Sequence, residues 1–278
     1  MIQGISHWAL AEGEKRAFPL ARADAKRAGF AAFEPAISLD GAITVETPQA
    51  LCEEYRKLAA ASGLMVATAA SGLTWAVSPT HPDAAVRRRG RELQLAALQR
   101  AAWLGAKSFL VVPGAVTIPW DRTYPPAPYE SALTWAGELV EELLPVAERL
   151  GIDVCLENVW NGLMYSPVEL RSFVDRFAHP RLGVYLDVGN LIGLHQHPPH
   201  WIELLGHRIK RVHVKDFKLA VGGLAGFCKL GQGDVPWAET MAALRHIGYD
   251  STVIAEVEAG SDEALAAARV ALESLLQR

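Results

Sequence analysis

Short apolar runs return along the chain, and between them lie longer stretches in which apolar residues recur every three or four positions. The first spacing is that of buried strands, the second that of amphipathic helices. Ile2 to Ser6, Phe30 to Glu34, Leu64 to Ala70 and Ser108 to Val112 read as the first four strands. Glu14 to Ala28, Pro48 to Ala61, Asp83 to Leu104 and Tyr129 to Leu150 read as the helices that follow, with Gly29, Gly63, Gly105 and Gly151 as their C-terminal caps. Pro19 is expected to disturb the first helix, and Thr47 with Pro48 to open the second. The second half keeps the rhythm. Strands run over Asp153 to Glu157, Leu182 to Asp187, Ile209 to Lys215 and Ser251 to Glu256. Helices run over Pro167 to Phe177 behind Ser166, weakly over Trp201 to Leu205, then over Trp237 to Ile247 and Asp262 to Leu276.

Eight strand-helix units in 278 residues, with strands that read as short buried runs, predict an α/β fold: a closed parallel (β/α)8 TIM barrel forming a single domain over residues 1–278. A doubly wound open sheet normally carries a glycine-rich phosphate turn after its first strand, and HWALAEGEK is not one. The segment from Ala115 to Pro128, rich in proline and aromatic residues, is too long for a connector and is expected to form a rim over a site.

Four of the strands end on side chains that bind metals: Glu157, Asp187, His213 and Glu256. In each strand the apolar neighbours alternate against that residue, so all four share the parity of side chains facing the barrel interior. Barrel active sites lie where the C-terminal ends of strands meet. Three carboxylates converging in a low-dielectric mouth repel one another unless a cation intervenes, and one divalent ion relieves this. An oxygen-rich set with one imidazole suits Mn, Mg or Co and admits Zn. The competing reading is that these residues cap helices or pair with Arg and Lys. Lys215, two residues beyond His213, is one cation that shares their face, and Glu258 is the rival to Glu256 because it shares its parity.

Composition narrows the classes. Net charge is −4, half the residues are hydrophobic, and Lys and Arg are scattered. A nucleic-acid binder needs a basic stripe, and the run Arg87-Arg88-Arg89-Gly90-Arg91 reads instead as a solvated helix face. Three cysteines without paired spacing indicate neither a disulfide framework nor a zinc-thiolate site, and a reducing cytoplasm is expected. The N-terminus does not read as a signal peptide and no apolar run reaches the length of a membrane span, so neither membrane nor nucleic acid is an expected partner. A homo-oligomer is left open.

The segments CLENVW, YLDVGNL, RVHVKDFK, LGQGDVPW and GYDSTVIAEVE resemble the sugar phosphate isomerase/epimerase family with the xylose-isomerase-like barrel. The similarity is greatest to the L-ribulose/L-xylulose-5-phosphate 3-epimerase type and its ketose 3-epimerase relatives, and it runs from about Leu64 to the C-terminus. The resemblance implies that Glu157, Asp187, His213 and Glu256 would hold one divalent metal, with Glu157 and Glu256 as acid and base. It implies an isomerase that removes the C3 proton of a ketose or ketose phosphate and passes through a metal-stabilised cis-enediolate. An inosose dehydratase-like lyase or a hydroxypyruvate isomerase-like enzyme would use the same metal site. An abasic-site endonuclease would need a richer ligand set and a basic face. Gln232 and Asn190 depart from relatives that carry an acid and a histidine there, which bears on the substrate.

Seven residues are candidates for substrate binding. Trp8 and Trp120 fall, with Trp75 and Trp160, in loops just after strands, where indoles stack on sugar C–H faces and exclude water. His7 and Glu34 end the first two strands and have polar atoms for hydroxyls; Asn190 and Lys215 flank the ligand positions. Lys229, with Lys218 nearby in the loop from Gly222 to Gly233, is placed to receive a phosphate. His195, His197 and His200 read as surface residues.

Overall fold

In the computed structural model, which describes residues 1–277, the strands form one parallel sheet that curls into a barrel. In chain order they are β1 (Ile2–Ser6), β2 (Ala32–Glu34), β3 (Ala36–Ile37), β4 (Thr68–Ser71), β5 (Ser108–Val111), β6 (Asp153–Glu157), β7 (Leu182–Asp187) and β8 (Ile209–Val214). A two-stranded hairpin follows, β9 (Asp216–Phe217) with β10 (Phe227–Cys228), and then β11 (Thr252–Ala255) returns to the sheet. The pairing order β2-β1-β11-β8-β7-β6-β5-β4-β3 follows chain order around a ring. Only Pro35 separates β2 from β3: β2 pairs with β1, and β3 pairs with β4. They are two halves of one strand, interrupted where proline has no N–H to donate, and the carbonyl of Pro35 still accepts from Ala70 N–H at 2.9 Å. The second strand position thereby closes an eight-position TIM barrel.

Strand parity sorts the side chains into two cores. Val154, Leu156, Val184, Leu186, Val212, Val214 and Val253 point outward and pack under the helices. Ala70, Leu110, Val112, Cys155 and Tyr185 point inward and fill the barrel as a separate cluster, as the stacked layers of such barrels require. Gly4 admits this filling, since a Cβ there would lie 2.3 Å from the Ile254 side chain.

Several local expectations are corrected. The first helix spans Phe18–Arg27 rather than beginning at Glu14, and Pro19 sits in its first turn, where its missing N–H costs nothing. Thr47 does not cap the second helix, Gln49–Ala61, because its hydroxyl accepts from Thr44 N–H instead. The third strand is only Thr68–Ser71. The stretch after β7 holds two helices, Val188–Gly193 and Pro198–Leu205, in place of one weak piece. The fourth and last helices, Tyr129–Leu150 and Asp262–Leu276, lie where the apolar spacing puts them, and Gly151 ends the former at φ 66°. Among the described residues no helix is long and apolar enough to cross a membrane.

Candidate metal centre and cavity

Adjacent strands β6, β7 and β8 carry Glu157, Asp187 and His213, and Glu256 follows β11, held in the sheet by its N–H donating to the Val214 carbonyl at 3.0 Å. His213 Nδ1 lies 3.2 Å from Glu256 Oε2, 3.6 Å from Glu157 Oε1 and 3.9 Å from Asp187 Oδ2. One ligand atom from each of the four residues lies within 4.8 Å of all the others. Glu258 is exposed and outside this group.

The imidazole is aimed from behind. Glu34 Oε1 lies 2.7 Å from His213 Nε2, and the Tyr185 hydroxyl donates to the second oxygen of Glu34. A carboxylate at Nε2 keeps the ring proton there and leaves the Nδ1 lone pair for the cluster. Glu34, proposed from the sequence to bind hydroxyls, is therefore fully buried and engaged with protein.

Asp187 is clasped by asparagines. Its N–H donates to Asn158 Oδ1 at 2.9 Å, and Asn158 Nδ2 donates back to its carbonyl at 2.8 Å. Asn190 N–H donates to Asp187 Oδ1 at 2.7 Å, and its side-chain amide donates to the Asn158 carbonyl at 3.0 Å. Asp187 Oδ2 is left buried without a hydrogen bond, as is His213 Nδ1. Two buried acceptors facing one point need a partner, and a divalent cation fits this donor set.

Lys215 neutralises part of the cluster. Its Nζ donates to Glu256 Oε2 at 2.8 Å and lies 3.1 Å from Asp187 Oδ2, there without hydrogen-bond geometry. Gly189 makes room for it, because a Cβ there would lie 2.5 Å from Lys215 Cγ. Burial raises the Asp187 carboxyl to about 7 against the pull of Lys215, and burial also raises Glu157. At Glu256 burial acts the same way, but Lys215 and His213 outweigh it and hold the carboxyl well below its usual range. Burial opposes charge on His213, yet Glu34 and Glu256 together raise its pKa well above the ordinary value. A proton on His213 is thus the alternative to a cation, and metal binding would release it.

A cavity of about 450 Å³ opens above the cluster. Glu157, Glu256, Lys215 and Asn190 form its floor, and Trp8, Trp75, Trp120 and Trp160 stand in its walls. Asp187 and His213 are fully buried beneath. Trp160 is fixed by its Nε1–H donating to the Asn190 carbonyl at 2.9 Å and lies so close over Gly193 that a Cβ there would come within 2.0 Å. The segment from Ala115 to Pro128 carries Trp120 to the rim and is pinned by Val116 N–H donating to the Asn161 carbonyl.

Two candidates from the sequence lie elsewhere. His7 is buried, with Nε2 2.8 Å from the Arg16 carbonyl and Nδ1 accepting from Ala36 N–H, so both ring nitrogens serve the backbone. Lys229 lines a separate small cleft with Glu258, against the last helix. Its glycine-rich loop is ordered instead by the buried carboxylate of Asp216, which accepts from the N–H groups of Phe217 and Gly231 and from Trp237 Nε1. His197 and His200 meet edge to face beside Glu239 at the surface. The sequence reading missed Asn158, which holds the Asp187 backbone, and the acids Glu14 and Asp40, which line the cavity. Asn158 directly follows Glu157, which was the available signal.

Comparison with known proteins adds the lineage. Curated relatives match part of the chain, and two of them have named activities. 3-Oxo-isoapionate decarboxylase of Pectobacterium atrosepticum is 31% identical over 134 residues, 45% of this chain and 46% of that protein. D-psicose 3-epimerase of Ruminiclostridium cellulolyticum is 30% identical over 122 residues, 43% and 39% respectively. The matched region thus spans less than half the length of either relative. A solved structure of a D-psicose 3-epimerase superposes over 100% of both chains with a TM-score of 0.80 at 21% identity. The family model of the xylose isomerase-like TIM barrel matches residues 22–278, and this chain belongs to that family.

Proposed function

We propose that the protein is a divalent-metal-dependent 3-epimerase of an unphosphorylated ketose. The observation that carries this reading is the division of labour among the four clustered residues. Glu157 and Glu256 reach both the cluster and the cavity, while Asp187 and His213 are sealed below it. The two cavity-facing carboxylates stand three strand positions apart, on β6 and after β11. They are therefore suited to opposite faces of one flat substrate, and inversion at a carbon needs a base on one face and an acid on the other. The names of the D-psicose 3-epimerases among the relatives support the reaction class.

Glu157, Asp187, His213 and Glu256 would hold a divalent cation, which would supply Lewis-acid stabilisation of negative charge on substrate oxygens. One carboxylate takes the C3 proton, leaving a planar enediolate, and the other returns a proton to the opposite face. Lys215, beside Glu256, favours the ionised form of that acid and offers an N–H to a substrate oxygen. The indoles keep water from the enediolate. Phosphate is disfavoured because Glu14, Asp40, Glu157 and Glu256 line the cavity and its lysine, Lys215, is already paired with Glu256, while Lys229 faces another cleft.

The test is turnover of a ketose panel in D2O with the metal-loaded enzyme. Deuterium should appear at C3 of the epimer, and Glu157→Gln and Glu256→Gln should each slow epimerisation by ~10²–10⁴-fold. Normal epimerisation in both variants would end the proposal. A dehydrated or decarboxylated product would assign the site to a lyase instead, and a preference for ketose phosphates would remove the claim about phosphate.

A further inference from the structure

The cavity is larger than one ketose requires, and its unused end has a composition of its own. A volume of about 450 Å³ lies within the ~300–1,000 Å³ of sites that enclose drug-sized ligands, whereas a hexose has only about twelve heavy atoms. A sugar reacting between Glu157 and Glu256 occupies the floor. Beyond it the walls are Trp8, Trp75 and Trp120, with Glu14, Ser38 and Asp40 among them. The indoles are positioned by fixed contacts. Trp8 Nε1–H donates to Glu14 Oε2 at 2.8 Å, Trp75 meets Trp120 edge to face at 4.8 Å, and Gly72 lies between Trp8 and Trp75, where a Cβ would touch both. Large apolar side chains also gather at the mouth: Trp120 is 43% exposed, Leu39 44% and Leu224 54%, and all three line this cavity. Soluble proteins concentrate exposed apolar surface where something covers it.

Resting on the ketose reading of the floor, we infer that this outer end is a second sugar subsite, and that the substrate is a keto sugar bearing a further glycosyl ring. The occupant must satisfy two demands at once. Indole faces need an apolar surface, which the C–H face of a pyranose provides. The carboxylates of Glu14 and Asp40 need donors when water is expelled, and ring hydroxyls are donors. Glu14 spends one oxygen on Trp8, and Asp40 has one oxygen 2.9 Å from Lys15 Nζ, so each keeps the other. Ser38 Oγ accepts from Gly41 N–H at 2.9 Å, which leaves its own proton for a hydroxyl oxygen. A flat aromatic substituent would meet the first demand and offer no donor to the second oxygen of either acid. An anionic substituent would be repelled by them.

The test uses the metal-loaded protein and probes without a ketone, so no reaction is needed. Tryptophan fluorescence titrations compare glucose, phenyl glucoside and gluco-disaccharides that differ in linkage. At least one disaccharide should bind about tenfold or more tightly than glucose, about 1.4 kcal/mol. Trp75→Ala, Trp120→Ala and Leu39→Ala should each narrow that gap by about threefold or more, and Asp40→Asn should weaken the disaccharide more than the phenyl glucoside. Equal affinity for glucose and every disaccharide would overturn the subsite, as would indifference to all three apolar truncations. A phenyl glucoside that binds as tightly as the best disaccharide and ignores Asp40→Asn would overturn the claim of a second sugar. Because the probes do not react, failure of the epimerase reading would appear only in the turnover assay and failure of the subsite only here.

Discussion

At the scale of single residues, the proposed metal centre depends as much on the groups behind the four clustered side chains as on those side chains. Glu34 contacts His213 Nε2 at 2.7 Å and fixes which imidazole nitrogen faces the cluster. Glu34→Gln keeps the size but removes the charge, so divalent-ion affinity measured by calorimetry should fall by ~10–100-fold, the usual cost of losing such a partner. Unchanged affinity would mean that packing alone orients the ring. Alternation along four strands was enough to mark Glu157, Asp187, His213 and Glu256, because parity is a local property of sequence. The partnership of Glu34 with His213 was not legible, since it joins residues 179 apart that meet only when the barrel closes. His7 misled for a related reason: a strand-end histidine looks the same whether it faces a cavity or a backbone carbonyl. Its burial lowers its pKa from 6.5 to about 4. The unfolded chain therefore binds this proton first on acidification, and the contribution of neutral His7 is complete above pH 6.5 and lost as pH falls toward 4. The loss amounts to about 3 kcal/mol at most. Chemical denaturation between pH 7 and pH 4 should show a shallower fall in His7→Gln than in the wild type, and parallel profiles would remove His7 from the account.

Among elements, the least regular one in the sequence shapes the cavity most. The glycine-rich connection after β8 reads as open loop, yet it folds back as the β9–β10 hairpin and presents Phe227 to the cavity, stacked on Trp160 at 5.2 Å. Hairpins this short lack the alternating run by which strands are found. What holds it is one carboxylate, Asp216, buried and serving N–H groups from both ends of the connection. Asp216→Ala would leave those donors unsatisfied at ~1–3 kcal/mol each where they stay dry, so the loop should open rather than remain in place. Hydrogen exchange over residues 217–235 should accelerate by tenfold or more while the strands stay protected. Uniform protection in that variant would show that the aromatic stack, not Asp216, orders the segment. The long helices, by contrast, were legible because fifteen or more residues of helical spacing, ended by Gly151 in the fourth, admit one reading.

For the whole molecule, the cluster ties distant parts of the chain together, since its four side chains come from residues 157 to 256 and Glu34 adds the second strand position. An ion that binds only the folded barrel stabilises it by RT ln(1 + [L]/Kd), ~2.7 kcal/mol at a hundredfold excess over Kd, roughly 5 °C in Tm for a protein of this size. Mn or Co added to chelator-treated protein should therefore raise Tm, and His213→Ala should abolish most of the rise. Lys215 makes the expectation sharper. Among the described residues it is the lysine or arginine whose charge lies within ion-pair distance of Asp187 and Glu256. In the absence of an ion it shares the neutralising charge with protonated His213, and when an ion binds it becomes a like charge close by. Replacing it with methionine keeps the stem and removes the ammonium. Lys215→Met should then lower the Tm of the metal-free protein, because burial leaves Asp187 and Glu256 facing each other uncompensated. It should also tighten ion binding by several-fold, so the metal-induced rise in Tm grows. Opposite movement of the two quantities is the signature of a residue that shares its position with the ion. If both fall together, Lys215 supports the fold of the centre without competing for its charge.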